Sequence, residues 1–368
     1  MLIKNAKILI EKEFIEGDIL FSDKIEAIGQ LDGNADFDAQ GNYIIPGLVD
    51  IHTHGALGED FSDGNPPSLQ TLSDYYISRG VTSYLATTMT LGESELSRAL
   101  HAIRNFERRD GAKCEGVHLE GPFLSYEKRG AQNAENLCLP DFALFCRLNE
   151  ESGNNVRMVT IAPETKGAIA FIKKVSQNCV VSLGHTAADY DTAMAAFAAG
   201  ATHVTHLFNG MNPYLHRAPG VLGAAYDSGA SVELICDGHH IHPSVIRGMF
   251  GLFGEKVNLI SDSIRSAGMP DGNYELGGQP VVMREGKATL LDGVLAGSSI
   301  SLLDGVRNAV KFGIGLEQAV YSASTAPALA VGLKRGAIKV GRPADLVVLD
   351  ESLRLTHVFV DGRKWEKS

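Results

Sequence analysis

Two histidines separated by a single residue, His52 and His54, follow a short apolar stretch near the N-terminus. Side chains two positions apart in a β-strand point to the same side, so both imidazoles can reach one ion. A His-x-His pair alone is weak evidence for a metal site. This pair lies directly after residues 46–50, at the end of a predicted strand, and there it predicts metal binding.

Three further ligand-type residues, Glu120, His185 and His206, lie at the ends of other apolar runs. A carboxylate at such a position is costly to bury unless it is paired or coordinated. Three protein ligands with one open position are typical of catalytic zinc-type sites. We therefore predict that Glu120, His185 and His206 bind a catalytic metal ion.

Strand alternation separates the two histidines of the sixth run. His206 is expected on the same side as Thr202 and Val204, whereas His203 is expected to point the other way. We interpret His203, and His118 in the third run, as packing residues or as residues that support the ligands.

The last predicted strand ends at Asp262. A carboxylate there would face the metal, accept a proton from the attacking water and pass it to the leaving nitrogen. The alternative interpretation is a helix N-cap, and the two roles are compatible.

The polar loop 206–220 is expected on the same face as these residues. Arg217 offers a fixed cation for a phosphate or a carboxylate, and the backbone N–H groups of Asn209 and Gly210 could assist. An exposed arginine without a ligand is the alternative. The histidines of residues 239–242 could donate hydrogen bonds to a polyhydroxylated ligand.

Eight short β-rich runs supply these residues and alternate with helical patterns. The alternation predicts a parallel (β/α)₈ barrel, in which reactive groups lie at the carboxyl ends of the strands. An open doubly wound sheet would show the same alternation, but eight runs and chemical residues at so many ends favour closure. The runs are 48–54, 81–88, 114–120, 156–162, 179–185, 202–207, 232–237 and 257–262, with helices predicted at 68–79, 94–108, 164–175 and 189–199.

The two ends of the chain have a different pattern, with short alternating strands and turn signals at 16–17 and 32–33. Near the C-terminus the predicted strands are 337–340, 345–349 and 358–360. We expect both ends to pair into one small β-sandwich beside the barrel. The predicted domains are therefore 1–46 and 336–368 for the sandwich and 47–335 for the barrel.

The composition of the 368 residues, 44% hydrophobic and 21% charged, is that of a globular enzyme and not of a disordered chain. The net charge of −11 argues against nucleic acid as a partner. No apolar run suggests a secretion signal or a membrane span. The five cysteines have no close pair and are interpreted as reduced, mostly buried thiols, which favours a cytoplasmic location.

The opening segment 46–55 resembles that of the amidohydrolase superfamily, and 341–347 resembles the way those chains close. More narrowly, several segments resemble the N-acetylglucosamine-6-phosphate deacetylase family, across essentially the whole chain. These segments are 118–123, 184–186, 205–220, 237–240, 261–262 and 295–298.

The resemblance implies hydrolysis of the acetamide of an amino-sugar phosphate, with Glu120, His185 and His206 as metal ligands and Asp262 as the acid/base. His52 and His54 leave room for a second ion; zinc is preferred, with iron or manganese as alternatives. It also implies a homodimer in which Arg217 reaches the phosphate in the neighbouring subunit. The substrate pocket would be formed by Ala131, Gln132, Asn209, Gly210, Arg217, His240, Leu295, Ala296 and Gly297. Gln132 departs from the family, which often has histidine there.

Three alternatives remain at this point. One is an amidohydrolase that acts on a cyclic amide or an N-acyl amino acid and needs no phosphate contact from Arg217. Another is a deacetylase for the galactosamine epimer, which the sequence does not distinguish. The third is a catalytically silent barrel that serves as a scaffold, which would be expected to have lost ligands that this chain retains.

Overall fold

The computed structural model describes residues 1–366. The strands in chain order are β1 (Leu2–Ile10), β2 (Glu13–Phe21), β3 (Ile25–Gly29), β4 (Phe37–Asp38), β5 (Tyr43–Pro46), β6 (Leu48–Thr53), β7 (Gly55–Ala56), β8 (Glu59–Asp60), β9 (Val81–Thr88), β10 (Lys113–Glu120), β11 (Val156–Ile161), β12 (Val180–Leu183), β13 (His203–Val204), β14 (Ser231–Ile235), β15 (Val257–Ile260), β16 (Gly272–Leu276), β17 (Gln279–Arg284), β18 (Lys287–Leu290), β19 (Leu346–Leu349), β20 (Leu355–Val360) and β21 (Arg363–Lys364). The α-helices are α1 (Pro66–Ile77), α2 (Glu93–Arg104), α3 (Phe142–Glu151), α4 (Ala168–Val175), α5 (Tyr190–Ala198), α6 (Gly220–Ser228), α7 (Pro243–Phe253), α8 (Leu302–Lys311), α9 (Leu316–Ala323) and α10 (Thr325–Ala330).

The predicted barrel is confirmed, with all eight runs present as strands. They form one parallel sheet in the order β6, β9, β10, β11, β12, β13, β14 and β15. At the carboxyl ends, the backbone N–H of Asp262 donates to the carbonyl of His52 (2.9 Å), and that of His54 donates to the carbonyl of Ser263 (2.8 Å). These bonds join the last strand to the first, so that the strand ends meet around one rim.

The helix predicted from residue 164 begins later, at Ala168. The carboxylate of Glu164 instead accepts hydrogen bonds from the Thr186 hydroxyl (2.5 Å) and the Ala187 N–H (2.6 Å). Gly167, with φ of +92°, then turns the chain into the helix. Side-chain bonding to a neighbouring loop thus replaces the first helical turn.

An antiparallel sheet of β16, β17 and β18, which the sequence analysis did not predict, follows the eighth barrel strand. Its apolar face packs on loops of the barrel rim, with Leu276 and Val281 in one buried cluster with Met89 and Ile264. The Gln279 amide also donates to the carbonyl of Ala131. This small sheet therefore forms one wall above the carboxyl ends of the barrel strands.

Strands from both ends of the chain pair into a second large sheet, as predicted, in the order β21, β20, β19, β5, β1, β2 and β3, with β4 beside β1. The sheet curves round a core of its own that includes Ile8, Phe21, Leu346 and Phe359. The boundaries 1–46, 47–335 and 336–368 stay predictions, and residues 367 and 368 lie outside the described part.

Two local predictions for the terminal sheet are wrong. Residues 337–340 form no strand, and residues 16–17 lie inside β2 and not in a turn. The turn falls at Glu11 and Lys12, where Glu11 has φ of +54°. Gly17 instead allows close approach of β3, because a Cβ there would lie 3.2 Å from the carbonyl oxygen of Gly29.

Within residues 1–366, no helix combines the length and apolarity needed to cross a membrane. All five cysteines are free. Cys236 is buried, but Cys138 and Cys146 are exposed, so the prediction of mostly buried thiols is wrong for these two.

Arg335 joins the terminal sheet to the barrel. Its guanidinium contacts the carboxylates of Glu115 (2.6 Å), Asp361 (3.1 Å) and Asp345.

Arg335→Met would leave three acidic groups without their shared cation. We expect a loss of about 3–5 kcal/mol in the free energy of unfolding, the usual scale for a broken buried pair, measured by urea denaturation. Arg354→Met, at an exposed ion pair with Asp350, is the control; equal losses in both variants would contradict the expectation.

Candidate metal centre and active site

Glu120, His185 and His206 meet at the rim of the barrel. The Oε1 atom of Glu120 lies 3.2 Å from Nε2 of His185 and 3.0 Å from Nε2 of His206. The two Nε2 atoms are 3.1 Å apart. Three ligand atoms from β10 and from the loops after β12 and β13 thus face one point.

His52 and His54 lie beside this set. Nε2 of His52 lies 3.4 Å from Oε1 of Glu120, and Nε2 of His54 lies 3.2 Å from Oε2. Oδ1 of Asp262 is 3.5 Å and 3.4 Å from the same two nitrogens. Oε1 of Glu120 thus lies near His52, His185 and His206, whereas Oε2 lies near His54.

The far nitrogens of two imidazoles fix which nitrogen faces the cluster. Nδ1 of His185 donates to the carbonyl of Lys128 (2.9 Å), which can only accept. Nδ1 of His52 donates to the carboxylate of Glu233 (2.9 Å). In both residues the lone pair of Nε2 is therefore directed into the cluster, the arrangement of metal-ligating histidines.

Charges in the cluster are strongly coupled. Burial raises the pKa of Glu120, but the imidazoles of His52 and His185 outweigh it, and the pKa lies well below its usual value. Burial also raises the pKa of Asp262, and again His52 and His54 bring it below its ordinary value. For His54, burial lowers the pKa, whereas bonds to Asp262 and Glu120 raise it to about 9. The lowered pKa values of Glu120 and Asp262 mean that both of these carboxylates are ionised.

The donor set fits a divalent cation. The inward-facing Nε2 lone pairs of His52 and His185, each 3.1–3.3 Å from a second imidazole nitrogen, are suited to bind a cation. Among the described residues, only imidazoles lie within ion-pair distance of Glu120 and Asp262. Two clusters of ligand atoms, His52–His54–Glu120 and Glu120–His185–His206, have the compactness of metal sites.

Three residues of this cluster have a left-handed backbone: φ is +46° at His185, +26° at His206 and +47° at Asp262. The prediction that His206 lies on the same side as Val204 is wrong. Val204 lies in the layer between barrel and helices, and the chain leaves strand geometry before His206 turns inward. Such conformations cost of order 1–3 kcal/mol each and are concentrated at functional sites.

His118 and His203 are packing residues, as interpreted from the sequence. Both are buried inside the barrel, where His118 contacts Thr160 through Nε2 (2.7 Å) and the carbonyl of Ile51 through Nδ1 (3.2 Å). Burial and the charge of His52 lower the pKa of His118 to about 3. The N-cap interpretation of Asp262 is wrong, because no helix begins there.

A pocket opens over the cluster, and most of the predicted substrate residues line it. They are Ala131, Gln132, Asn209, Gly210, His240, Leu295 and Gly297. Ala296 is fully buried behind this wall and does not line the pocket. Met89, Gly130, Ile264, Leu276 and Val294, which the sequence analysis did not single out, complete the lining.

Two of the lining side chains are held by other protein groups. The Gln132 amide donates to Oε2 of Glu120, and its oxygen accepts from the Thr90 N–H (2.8 Å). Nδ1 of His240 donates to Asp237 (2.7 Å). Gln132 therefore supports Glu120, while the Asp237 bond fixes the orientation of the His240 ring.

Arg217 is the predicted pocket residue that the chain does not bring to the site. It is exposed, and its nearest polar contact is Nε2 of His216 (2.6 Å). Tyr214 and Leu215, in the same loop, are each 53% exposed. This loop therefore presents an arginine and two large apolar side chains to the surroundings.

Glu233 is the functional residue that the sequence analysis missed. It is fully buried in β14 and contacts His52 directly. The signal was present, because a single glutamate in the apolar strand Ser231–Ile235 needs a buried partner.

The amidohydrolase family profile matches residues 43–365. The chain is 37% identical over 331 residues to the N-acetylglucosamine-6-phosphate deacetylase of Bacillus subtilis, covering 87% of this chain and 83% of that one. It is 37% identical over 327 residues to the N-acetylgalactosamine-6-phosphate deacetylase of Escherichia coli O157:H7, covering 87% of both. A solved N-acetyl-D-glucosamine-6-phosphate deacetylase from Mycobacterium smegmatis, a D267A mutant in complex with N-acetyl-D-glucosamine-6-phosphate, superposes with a TM-score of 0.94 at 33% identity, covering 99% of this chain and 98% of that one. This chain belongs to the amidohydrolase family.

Proposed function

We propose that this protein hydrolyses the acetamide of N-acetyl-D-glucosamine 6-phosphate to D-glucosamine 6-phosphate and acetate. The observation that carries the proposal is the convergence of Glu120, His185 and His206 at 3.0–3.2 Å, opposite Asp262. The relatives supply the substrate, since the B. subtilis protein and the M. smegmatis structure carry that activity in their names.

The residues that would hold the metal form two neighbouring subsites. Glu120, His185 and His206 would hold one ion, and His52, His54 and Glu120 would hold a second. When bound, such an ion supplies Lewis acidity, which makes a carbonyl carbon more electrophilic and a water molecule more acidic. Zinc suits this mixed nitrogen and oxygen set, and iron or manganese are the alternatives.

Asp262 would move the proton. Its ionised carboxylate, at the rim and within 3.5 Å of both first-strand imidazoles, can accept the proton of the attacking water. It can then donate that proton to the departing amine, so one group serves as base and then as acid. His240, oriented by Asp237, would donate a hydrogen bond to the acetamide oxygen or to a sugar hydroxyl.

The remaining lining residues would bind the sugar. Backbone groups of Asn209 and Gly210, with Ala131, Leu295 and Gly297, form the walls. We assign Gln132 a supporting role on Glu120 and Ala296 a packing role behind the wall. No lysine or arginine lines this pocket within the described residues, so the phosphate would need a cation from elsewhere.

We propose that Arg217 of a second copy supplies that cation in a homodimer. Support comes from its exposure beside the apolar Tyr214 and Leu215, since such side chains are typical of surfaces that bind a partner. We further propose a cytoplasmic location, because free cysteines are typical of reducing compartments.

The substrate assignment is tested by comparing kcat/KM for N-acetylglucosamine with and without the 6-phosphate. Loss of a charge-assisted contact of about 1.5–3 kcal/mol should lower kcat/KM by about 10–150-fold for the unphosphorylated sugar. Equal rates would contradict the assignment. Faster turnover of the phosphorylated galactosamine epimer would reassign the substrate and keep the chemistry.

The variant Arg217→Gln tests whether Arg217 is the source of the phosphate contact. We expect it to lower kcat/KM for the phosphorylated sugar and leave the unphosphorylated sugar almost unchanged. Arg363→Gln, at an exposed arginine of β21 that does not line the pocket, is the matched control.

A further inference from the structure

Glu233 lies beneath the cluster, inside the barrel. Its Oε2 atom accepts hydrogen bonds from Nδ1 of His52 (2.9 Å) and from the backbone N–H of His206 (3.0 Å). Its Oε1 atom lies 3.3 Å from Nε2 of His203. All of these side chains are fully or almost fully buried, so water does not substitute for these bonds.

This carboxylate does two things to the proposed ligands. As a hydrogen-bond acceptor it keeps the proton of His52 on Nδ1, which leaves the Nε2 lone pair for the subsite that His52 shares with His54. By accepting the N–H of His206, it also holds the left-handed turn that brings this imidazole inward. One buried residue thus connects a ligand of each subsite.

An apolar side chain would fill this position at lower desolvation cost, as Ile235 does two residues further along the same face of β14, in a buried apolar cluster. The Glu233 carboxylate contacts two side chains, those of His52 and His203, and only His52 faces the metal cluster. The contact with His52 therefore gives the buried charge a role that packing does not require.

We propose that Glu233 is a positioning residue that keeps His52 available as a metal ligand, so that the subsite of His52, His54 and Glu120 binds its ion more weakly when Glu233 is removed. The inference rests on the proposed metal-dependent function, but it concerns ion binding and is tested without substrate.

The experiment titrates the full-length, metal-free protein with Co²⁺, following metal per chain by elemental analysis and the visible ligand-field bands. The unmodified chain should take up two equivalents. Glu233→Met should bind the second equivalent about 10–100-fold more weakly, the usual cost of losing such an outer partner. Glu233→Gln retains an acceptor for His52 and should restore most of this affinity.

His203→Leu is the control. This substitution removes the contact of His203 with Oε1 of Glu233, the oxygen that does not contact His52. His203 contacts none of the proposed ligands. The substitution should therefore lower thermal stability without changing the cobalt spectrum or the second affinity. If His203→Leu and Glu233→Met weaken the second ion equally, the effect is general damage to the barrel and the proposal is overturned.

A double-mutant cycle with His52→Leu keeps the test informative if Glu233→Met alone folds poorly, because the pair removes both buried partners at once. Glu233→Met should change cobalt affinity much less in the His52→Leu background than in the intact chain. Equal changes in both backgrounds, or a single equivalent in the unmodified chain, overturn the proposal. Failure of deacetylation with two ions bound would instead count against the proposed function alone.

Discussion

Asp262→Asn is expected to lower kcat by about 10²–10⁴-fold, the contribution of a general acid–base group, while the metal content stays unchanged. The amide has the shape of the carboxylate but cannot accept a proton from water at neutral pH. Because Asp262 is not one of the proposed ligands, the glutamate and the imidazoles of the two clusters should retain the metal. Steady-state kinetics and elemental analysis on the same preparation check both parts.

Asp60→Asn provides a matched control for this experiment. Asp60 is another buried aspartate on the same side of the barrel, and its carboxylate accepts a hydrogen bond from the Ser62 N–H (2.8 Å) without contacting the cluster. Its variant should keep kcat close to that of the unmodified protein. Turnover in Asp262→Asn that equals Asp60→Asn would remove Asp262 from the mechanism.

Glu120→Gln is expected to be the most damaging single change to metal binding. Glu120 belongs to both clusters of ligand atoms, one with His185 and His206 and one with His52 and His54, so its loss affects both subsites. An amide carries no charge, and one of its two terminal atoms is a donor that cannot bind a cation. Metal per chain after dialysis should fall well below that of the unmodified protein. Since bound metal contributes several kcal/mol to the transition state, kcat/KM should drop about 10³-fold or more.

Glu164→Gln is the corresponding control. That carboxylate also lies above a barrel strand, but it binds Thr186 and Ala187 and not the cluster. It should retain full metal content. Retention of metal and activity by folded Glu120→Gln, judged by circular dichroism, would show that the cluster is not the catalytic centre.

The barrel was predictable because each of its strands is a local apolar run followed by a helix. The candidate ligands at its rim were predictable for the same reason. The carboxyl ends of parallel strands meet at one rim, and Glu120 and His185 are each the last residue of a predicted strand. The residues from which the site is built were therefore visible in short segments.

His206 shows where this reasoning fails. Strand alternation assigns its side, yet β13 ends at Val204, and a backbone φ of +26° decides where the imidazole points. That conformation depends on tertiary bonds such as the one to Glu233, which no local pattern encodes. The structure brings His206 to the cluster, but the alternation argument for its side was wrong.

The sheet of β16 to β18 was missed although its turns were visible. Gly277-Gly278 and Glu285-Gly286 separate its strands, and both pairs are ordinary hairpin signals. These three strands lie after the eighth barrel strand and do not belong to the strand–helix alternation, so the alternation did not predict them. Arg217 differs again, because the contact proposed for it, with a second copy, cannot be placed from one chain.

Left-handed backbone at His185, His206 and Asp262 also bears on how this protein would respond to laboratory evolution. Glycine and asparagine adopt that conformation at less cost than other residues. Selection for heat resistance alone would therefore favour glycine or asparagine at these three positions, and each substitution would remove a ligand or the proton carrier. Thermostability screens on this enzyme need catalysis as a second criterion, because three of the residues with left-handed backbone are also the proposed ligands and proton carrier.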